Sequence, residues 1–171
     1  TVDGTPQLYL RLALHAVVER ERGAPDAAFV AELALNAHRF EVRGDAASSN
    51  DELVATVRSS RPAHLHLFSI AGDSVQRLFP NAYLPAITAD SARTVELPDP
   101  EWRERGLRLR ATLPRGVDER RELLLVVATR GPVAPPAEAM SVMQLQQWLV
   151  RIPLAQRAMA FAAYDVGRAG R

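Results

Sequence analysis

The residues whose type and spacing come closest to a metal-binding pattern are His64 and His66. On a strand, alternate side chains point to the same face, so both imidazoles would be available to an ion such as zinc. A complete site needs a third ligand from elsewhere in the chain, for which His15 and His38 are candidates. No carboxylate within the motif supplies one. We therefore interpret both as packed or surface histidines and predict no metal site; a His-dependent metal-binding domain is the weakest alternative.

Acid–base chemistry has one further candidate pair, because Asp99 and Glu101 flank Pro100. Two carboxylates at suitable separation can perform glycosidase-type acid and base steps. Here they stand beside Trp102 and Arg103, a context typical of a solvated loop. We interpret the pair as loop residues.

Nucleophilic and phosphate-binding motifs are absent from the sequence. Ser48, Ser49 and Ser69 lack the Gly-x-Ser-x-Gly context of a nucleophile elbow. There is no Gly-rich phosphate loop and no zinc-ligand pattern. We therefore predict no catalytic residues and no cofactor, and that the chain is not an enzyme.

The composition excludes several classes of protein. The 171 residues include no Cys, which excludes disulfides and thiolate metal sites, and no apolar run approaches the roughly 18 residues of a membrane helix. The net charge is +1, and the seven arginines between Arg103 and Arg121 are interleaved with acidic residues. We interpret that stretch as a salt-bridged face and predict no nucleic-acid partner. The chain begins at Thr1 without an initiator Met, which is typical of a mature form or of a domain from a longer protein.

Alternating apolar residues predict that much of the first half is strand. Leucines occupy alternate positions in residues 8–14, which favours a strand with a helix as the alternative, whereas residues 29–40 fit both periods. The segment 53–70 divides at Arg61-Pro62 into two alternating runs, which predicts an antiparallel hairpin. Its rival is a short helix over residues 52–59, since SNDE resembles a capping box.

The second half contains further strands and one helix. We predict strands in ARTVEL, in LRLRATL with Leu107, Leu109, Ala111 and Leu113 on one face, in the continuously apolar ELLLVVAT, and in AMAFAAYDV. PRGVDERR is predicted to be a turn. Residues 141–152 predict an amphipathic helix that starts at Ser141, because Ser and Gln three residues later form a capping box. Trp148 on its apolar face indicates core packing, with partner docking as the alternative.

These elements predict an α+β, β-dominated fold, mainly an antiparallel sheet or sandwich, with one C-terminal amphipathic helix packed on it. We expect a single domain over residues 1–171, with residues 1–39 as an N-terminal extension on the same sheet.

A corner follows the second run of the expected hairpin. Gly72-Asp73 predicts a turn, and Phe79 ends the returning strand because Pro80 cannot donate to a ladder and Asn81 tolerates left-handed geometry. We interpret residues 78–81 as a structural corner in which Phe79 is buried and Asn81 bonds to nearby backbone groups. A binding loop is the alternative, and Asp73, Phe79, Pro80, Asn81, His64 and His66 are the candidate interaction or corner residues.

The stretch AHLHLFSIAGDSVQRLFPN resembles the bacterial domain of unknown function 4384 family. In that family an aromatic-rich run leads to a Gly-containing turn and a short strand ending in Leu-Phe-Pro-Asn; here these are residues 64–68, Gly72-Asp73 and residues 78–81. VELP, LPRG and the closing WLVRIP…AAYDV support the resemblance, which spans residues 40–166. His64 and His66 depart from it, because the family commonly has aromatic residues there.

The resemblance implies a mainly β, non-catalytic accessory domain of a bacterial envelope protein or lipoprotein. Such a domain would act through protein–protein or envelope-polymer contacts, in the periplasm or at the outer membrane. The alternative is a regulatory module of a larger enzyme, such as a caspase-like protease or kinase, with a cytoplasmic location as part of that chain.

Overall fold

A computed structural model describes residues 21–44, 47–91 and 93–170. In these residues the strands β1 to β12 span, in order, Ala31–Leu35, Arg39–Val42, Glu52–Leu53, Ala55–Ser59, Ala63–Ala71, Ser74–Phe79, Thr88–Ala89, Thr94–Leu97, Leu109–Arg110, Glu119–Thr129, Ala139–Ser141 and Arg157–Arg168. The helices α1 and α2 span Pro100–Glu104 and Val142–Leu149, and short 3-10 turns lie at Ala47–Ser49 and Leu154–Gln156.

The strands form two layers. The larger sheet has the order β11-β6-β5-β10-β12-β2, with β7 also paired to β5, and it is antiparallel except where β12 meets β2. The smaller sheet, β1-β4-β8, is antiparallel, and β3 pairs with β9. The predicted α+β, β-dominated fold with one C-terminal helix is confirmed.

One core lies between the two sheets. Strand β4 contributes the fully buried Ala55 and Val57, and the larger sheet contributes Leu65, Leu124 and Val126 from the opposite side. The side chains alternate along each strand, so the apolar set faces the other layer. Burial of this set excludes water from between the sheets and stabilises the pairing of the two layers.

A second core lies on the outer face of the larger sheet, under α2. Leu125 and Val127 of β10 pack there with Phe68, Leu145 and Trp148. The continuously apolar sequence of β10 is thereby explained, because this strand is covered on both faces, as expected from ELLLVVAT.

The predicted C-terminal helix is confirmed, although it ends at Leu149 rather than Ile152. The Ser141 hydroxyl accepts from the backbone N–H of Gln144 at 3.2 Å, and the Gln144 side chain accepts from the backbone N–H of Ser141 at 2.8 Å. This capping box satisfies two backbone donors at the start of the helix.

The predicted hairpin over residues 53–70 is wrong. Both of its runs are strands, but β4 pairs with β1 and β8, whereas β5 pairs with β6, β7 and β10. The Arg61-Pro62 link carries the chain from one layer to the other. The apolar residues of β4 and β5 face the same core from different layers, whereas the two strands of a hairpin would pair edge to edge. An alternating pattern is the same in both arrangements. The rival helix over residues 52–59 is also wrong.

The predicted strand LRLRATL is only partly correct, because strand pairing is limited to Leu109–Arg110. The predicted turn PRGVDERR is too long by three residues, since β10 begins at Glu119. AMAFAAYDV is a strand, and β12 extends it to Arg168.

The ambiguous residues 29–40 are extended, with β1 in the smaller sheet and the start of β2 in the larger one. Strand β1 pairs within the smaller sheet and packs against β12 and β10 of the larger one. The expected packing of residues 1–39 on the same sheet as a whole stays a prediction. The predicted strand at residues 8–14 lies outside the described residues.

Substitution of Val126 by Asp should unfold the protein, because a carboxylate buried without a partner costs several kcal/mol, comparable to the whole stability of a domain. Leu109→Asp should be milder, since Leu109 is only half-buried. Circular dichroism and thermal melts check both. The double-sided burial of β10 would be contradicted if Val126→Asp folds, or if it is at least as stable as Leu109→Asp.

Candidate functional site

The corner at the end of β6 has the predicted structural geometry. Phe79 is fully buried between the sheets, and Pro80 is buried beside it. The Asn81 carboxamide accepts from the backbone N–H groups of Tyr83 and Leu84 at 2.9 and 2.8 Å and donates to the Leu78 carbonyl at 2.9 Å. The predicted burial of Phe79 and backbone bonding of Asn81 are confirmed. A binding role for these residues stays a prediction.

Asp73 lies in the two-residue connection between β5 and β6. The chain reverses at Gly72, whose φ of +60° favours glycine, and Ala71 pairs with Ser74. The Asp73 carbonyl accepts from the backbone N–H of Val142 at 3.2 Å, which joins the turn to the start of α2. The predicted turn is confirmed, and the side chain of Asp73 is exposed.

His66 is buried under α2, with its ring centroid 5.1 Å from that of Trp148 in an edge-on contact. Within the described residues neither ring nitrogen has a hydrogen-bond partner. Burial, and secondarily the charges of His64 and Arg77, lowers the pKa of His66 from 6.5 to about 4. His66 is therefore a neutral core residue at neutral pH, and Trp148 serves core packing.

His64 and His66 do not form part of a larger cluster in the described part of the chain. No group of three His, Cys, Asp or Glu side chains suited to a metal lies within residues 21–44, 47–91 and 93–170. His38 is exposed before β2, and His15 lies outside the described residues.

Asp99 immediately precedes the short helix α1 and Glu101 lies in its first turn, so the expectation of a loop is wrong for Glu101. The Asp99 side chain accepts from the backbone N–H of Trp102 at 2.8 Å and caps α1. Glu101 forms an ion pair with Arg105 one turn later. Each carboxylate thus has a structural partner.

Within the described residues, an apolar surface without a covering element lies where α2 no longer covers the larger sheet. Met159, Phe161 and Leu123 are 39%, 56% and 38% exposed, and Ala163 is exposed beside them. Ala163 pairs with Leu123 and Phe161 with Leu125, so the side chains are neighbours on one face of β10 and β12. We call these four residues the β10–β12 face.

Charged side chains bound this face at both ends. Arg121 donates to Asp165 through two hydrogen bonds of 2.9 and 3.2 Å, and this pairing lowers the pKa of Asp165. At the other end, Arg157 donates to the Ile152 carbonyl at 3.2 Å and pairs with Glu21. An apolar centre within a polar rim is the usual anatomy of a protein interface.

A cavity of about 240 Å³ with both polar and apolar lining residues opens on the opposite face of the larger sheet, between that sheet and β3 and β9. At its floor, Glu122 accepts from the Tyr164 hydroxyl at 2.7 Å, from Ser69 at 3.3 Å and from Arg120 Nε at 2.8 Å. Burial, more than the neighbouring Glu122, raises the pKa of Tyr164, so the phenol remains a donor. Leu109 and Arg110 form part of the opposite wall. We call this space the inter-sheet cavity.

Neither region was identified from sequence. AMAFAAYDV predicted a strand but not that its larger residues, Met159 and Phe161, would lie uncovered. The available signal was that both alternating sets of that strand are apolar, which requires cover on two sides. Glu122 gave the other signal, because it is an acidic residue directly before a run that is buried on both faces.

Among the described residues, no helix is both long and apolar enough to span a membrane. No family model matches the chain, and no curated protein or solved structure matches it. The resemblance to the domain of unknown function 4384 family therefore stays a prediction from the residues quoted for it.

Phe79→Ala should destabilise the protein by about 3–5 kcal/mol, because it leaves a cavity in the core. Asn81→Ala should cost about 0.5–2 kcal/mol, by analogy with a lost helix cap. Denaturant unfolding of both variants measures these losses. Unchanged stability in both would contradict a structural role for the corner.

The stability should fall as the pH is lowered from 6.5 to about 4, because the unfolded chain binds a proton at His66 that the folded chain does not. The loss from this residue should reach about 3 kcal/mol near pH 4 and be absent above pH 7. His66→Phe should remove this part of the pH dependence, whereas the exposed His38→Gln should keep it. Urea unfolding across this pH range provides the measurement; equal slopes in His66→Phe and the parent protein would contradict it.

Proposed function

We propose that this chain is a non-catalytic interaction module that binds another protein through the β10–β12 face. The observation that supports this proposal is the uncovered apolar centre of Met159, Phe161 and Leu123 on a sheet whose outer face is elsewhere covered by α2. Exposed apolar area of this kind, bounded by charged pairs, is typical of binding surfaces.

A protein partner fits this face better than an envelope polymer does. Hydroxyl-rich sugar chains would lose hydrogen bonds to water when pressed against Leu, Met and Phe side chains. An apolar protein surface would instead remove Phe161 and its neighbours from water, at about 25 cal/mol for each Å² buried. The rim pair Arg121–Asp165 and the exposed carboxylate of Glu21 offer additional polar contacts at the edge of such an interface.

The cellular setting of the proposal comes from the family resemblance. It supports an accessory domain of a bacterial envelope protein or lipoprotein, in the periplasm or at the outer membrane. A regulatory module of a larger caspase-like protease or kinase is the second setting, in which the same face would contact a domain of that chain. The reading frame upstream of Thr1 distinguishes them: a signal peptide with a lipobox supports the first and a catalytic domain the second.

Phe161→Arg should keep its fold but no longer bind the partner protein, because the substitution places a charge at the centre of the apolar face. Tyr83→Arg is the matched control, since Tyr83 is an exposed aromatic residue, 70% accessible, on the loop after the corner and is not part of the β10–β12 face. Immobilised parent protein and both variants, incubated with extract of the native host, are compared by quantitative mass spectrometry. Proteins retained by the parent and by Tyr83→Arg but lost with Phe161→Arg are then purified.

With a purified partner, the affinity should fall about thirtyfold or more in Phe161→Arg, as expected for an aromatic residue at the centre of an interface. Equal affinity of the parent and Phe161→Arg would contradict the proposal. Sedimentation of the parent protein alone tests a second copy as the partner. If the parent protein self-associates and Phe161→Arg does not, the partner at this face is a second copy of the chain rather than a different protein.

A further inference from the structure

We propose that the inter-sheet cavity binds a small carboxylate-bearing ligand with an apolar body, held by Arg110. This site is separate from the β10–β12 face, because the cavity lies on the inner face of the larger sheet, whereas Phe161 and Leu123 lie on its outer face.

The cavity has the size and access that a small ligand requires. Its volume is about 240 Å³, and an apolar cavity of about 150 Å³ is already enough to bind benzene. Ser74, Gln76 and Thr112 line it and are exposed, so its mouth opens to solvent. Leu53, Leu78 and Leu109 line it as well and offer apolar contact area.

The floor of the cavity is held in place before any ligand arrives. Both oxygens of Glu122 are occupied, one by Arg120 and the other by Tyr164 and Ser69. The Glu122 side chain is only 7% exposed, and Arg120 neutralises its charge. This carboxylate is therefore satisfied by the protein itself and does not require a cationic ligand.

One positive charge of the cavity lining is not balanced by a carboxylate of the lining, and Arg110 carries it. Five of the seven arginines between Arg103 and Arg121 pair with carboxylates, at 103, 105, 108, 120 and 121. Within the described residues, Arg110 has no ion pair, and its Nη1 donates to the Asn50 carbonyl at 2.7 Å. A guanidinium has five N–H donors in a fork that matches a carboxylate.

The sum of these features defines the ligand class. Arg110 and Arg120 against Glu122 leave a net charge of +1 on the lining, which favours an anion. The leucines favour an apolar body next to the charged group, and the hydroxyls of Ser74 and Thr112 add hydrogen-bonding groups near the mouth.

Benzoate is the probe, benzamide its neutral counterpart and inorganic phosphate an anion without an apolar body. In an amide NMR titration of the whole chain, benzoate should give saturable shifts at Ser69, Gln76 and Ala111 at millimolar concentration, and both other probes should bind more weakly. Arg110→Gln should weaken benzoate binding by about tenfold to a hundredfold, the usual range for a lost charge-assisted hydrogen bond.

Arg115→Gln is the matched control, because Arg115 is an exposed arginine in the neighbouring turn and does not line the cavity. It should leave benzoate binding unchanged. Gln76→Phe, which fills the mouth from an exposed strand position, should abolish binding with the fold intact, so the test does not depend on Arg110→Gln alone. The proposal is overturned if benzoate gives no saturable shift, if benzamide or phosphate binds as tightly, or if Arg110→Gln and Gln76→Phe both bind as the parent does. A failure of benzoate to bind would not contradict the proposed function, because that proposal is tested separately by Phe161→Arg on the β10–β12 face.

Discussion

The burial of β10 on both of its faces is the constraint on which the rest of this structure depends. Leu124 and Val126 fill the core between the sheets, and Leu125 and Val127 fill the core under α2. The same strand pairs with β12 over its whole length and with β5 over seven residue pairs. One strand therefore couples the register of the larger sheet to the packing of both layers, because a shift of one residue would exchange the two sets of side chains.

Both candidate sites arise where this double cover stops. Toward the start of β10, Glu122 faces the inter-sheet cavity, and the next residue, Leu123, lies on the opposite, exposed face. On the inner face, Leu109 and Arg110 of β9 lie across the cavity from Glu122, and on the outer face α2 packs on β5, β6 and the later residues of β10. A sheet larger than either of its covering layers leaves a polar opening on one side and an apolar surface on the other.

The protein accommodates its buried polar groups in two different ways. Glu122 has hydrogen bonds from Arg120, Tyr164 and Ser69, which replace those that water would provide. His66 has no such partners among the described residues and is kept neutral by a lowered pKa, in edge-on contact with Trp148. Of these two residues, Glu122 lies beside the inter-sheet cavity.

The sequence alone determined most of the longer strands, namely β4, β5, β6, β8, β10 and β12, and the helix, because these follow from local alternation, the Ser141 capping box and the turn residues Gly72, Asp73 and Pro80. It also determined that residues 78–81 form a corner. Only the tertiary structure decided that β4 and β5 lie in different sheets, that Leu109 belongs to a two-residue strand, and that Arg110 and Glu122 line one cavity. Pairing and cover depend on contacts between residues far apart in the chain, and a period of two is the same whether a strand meets its neighbour edge to edge or across a core.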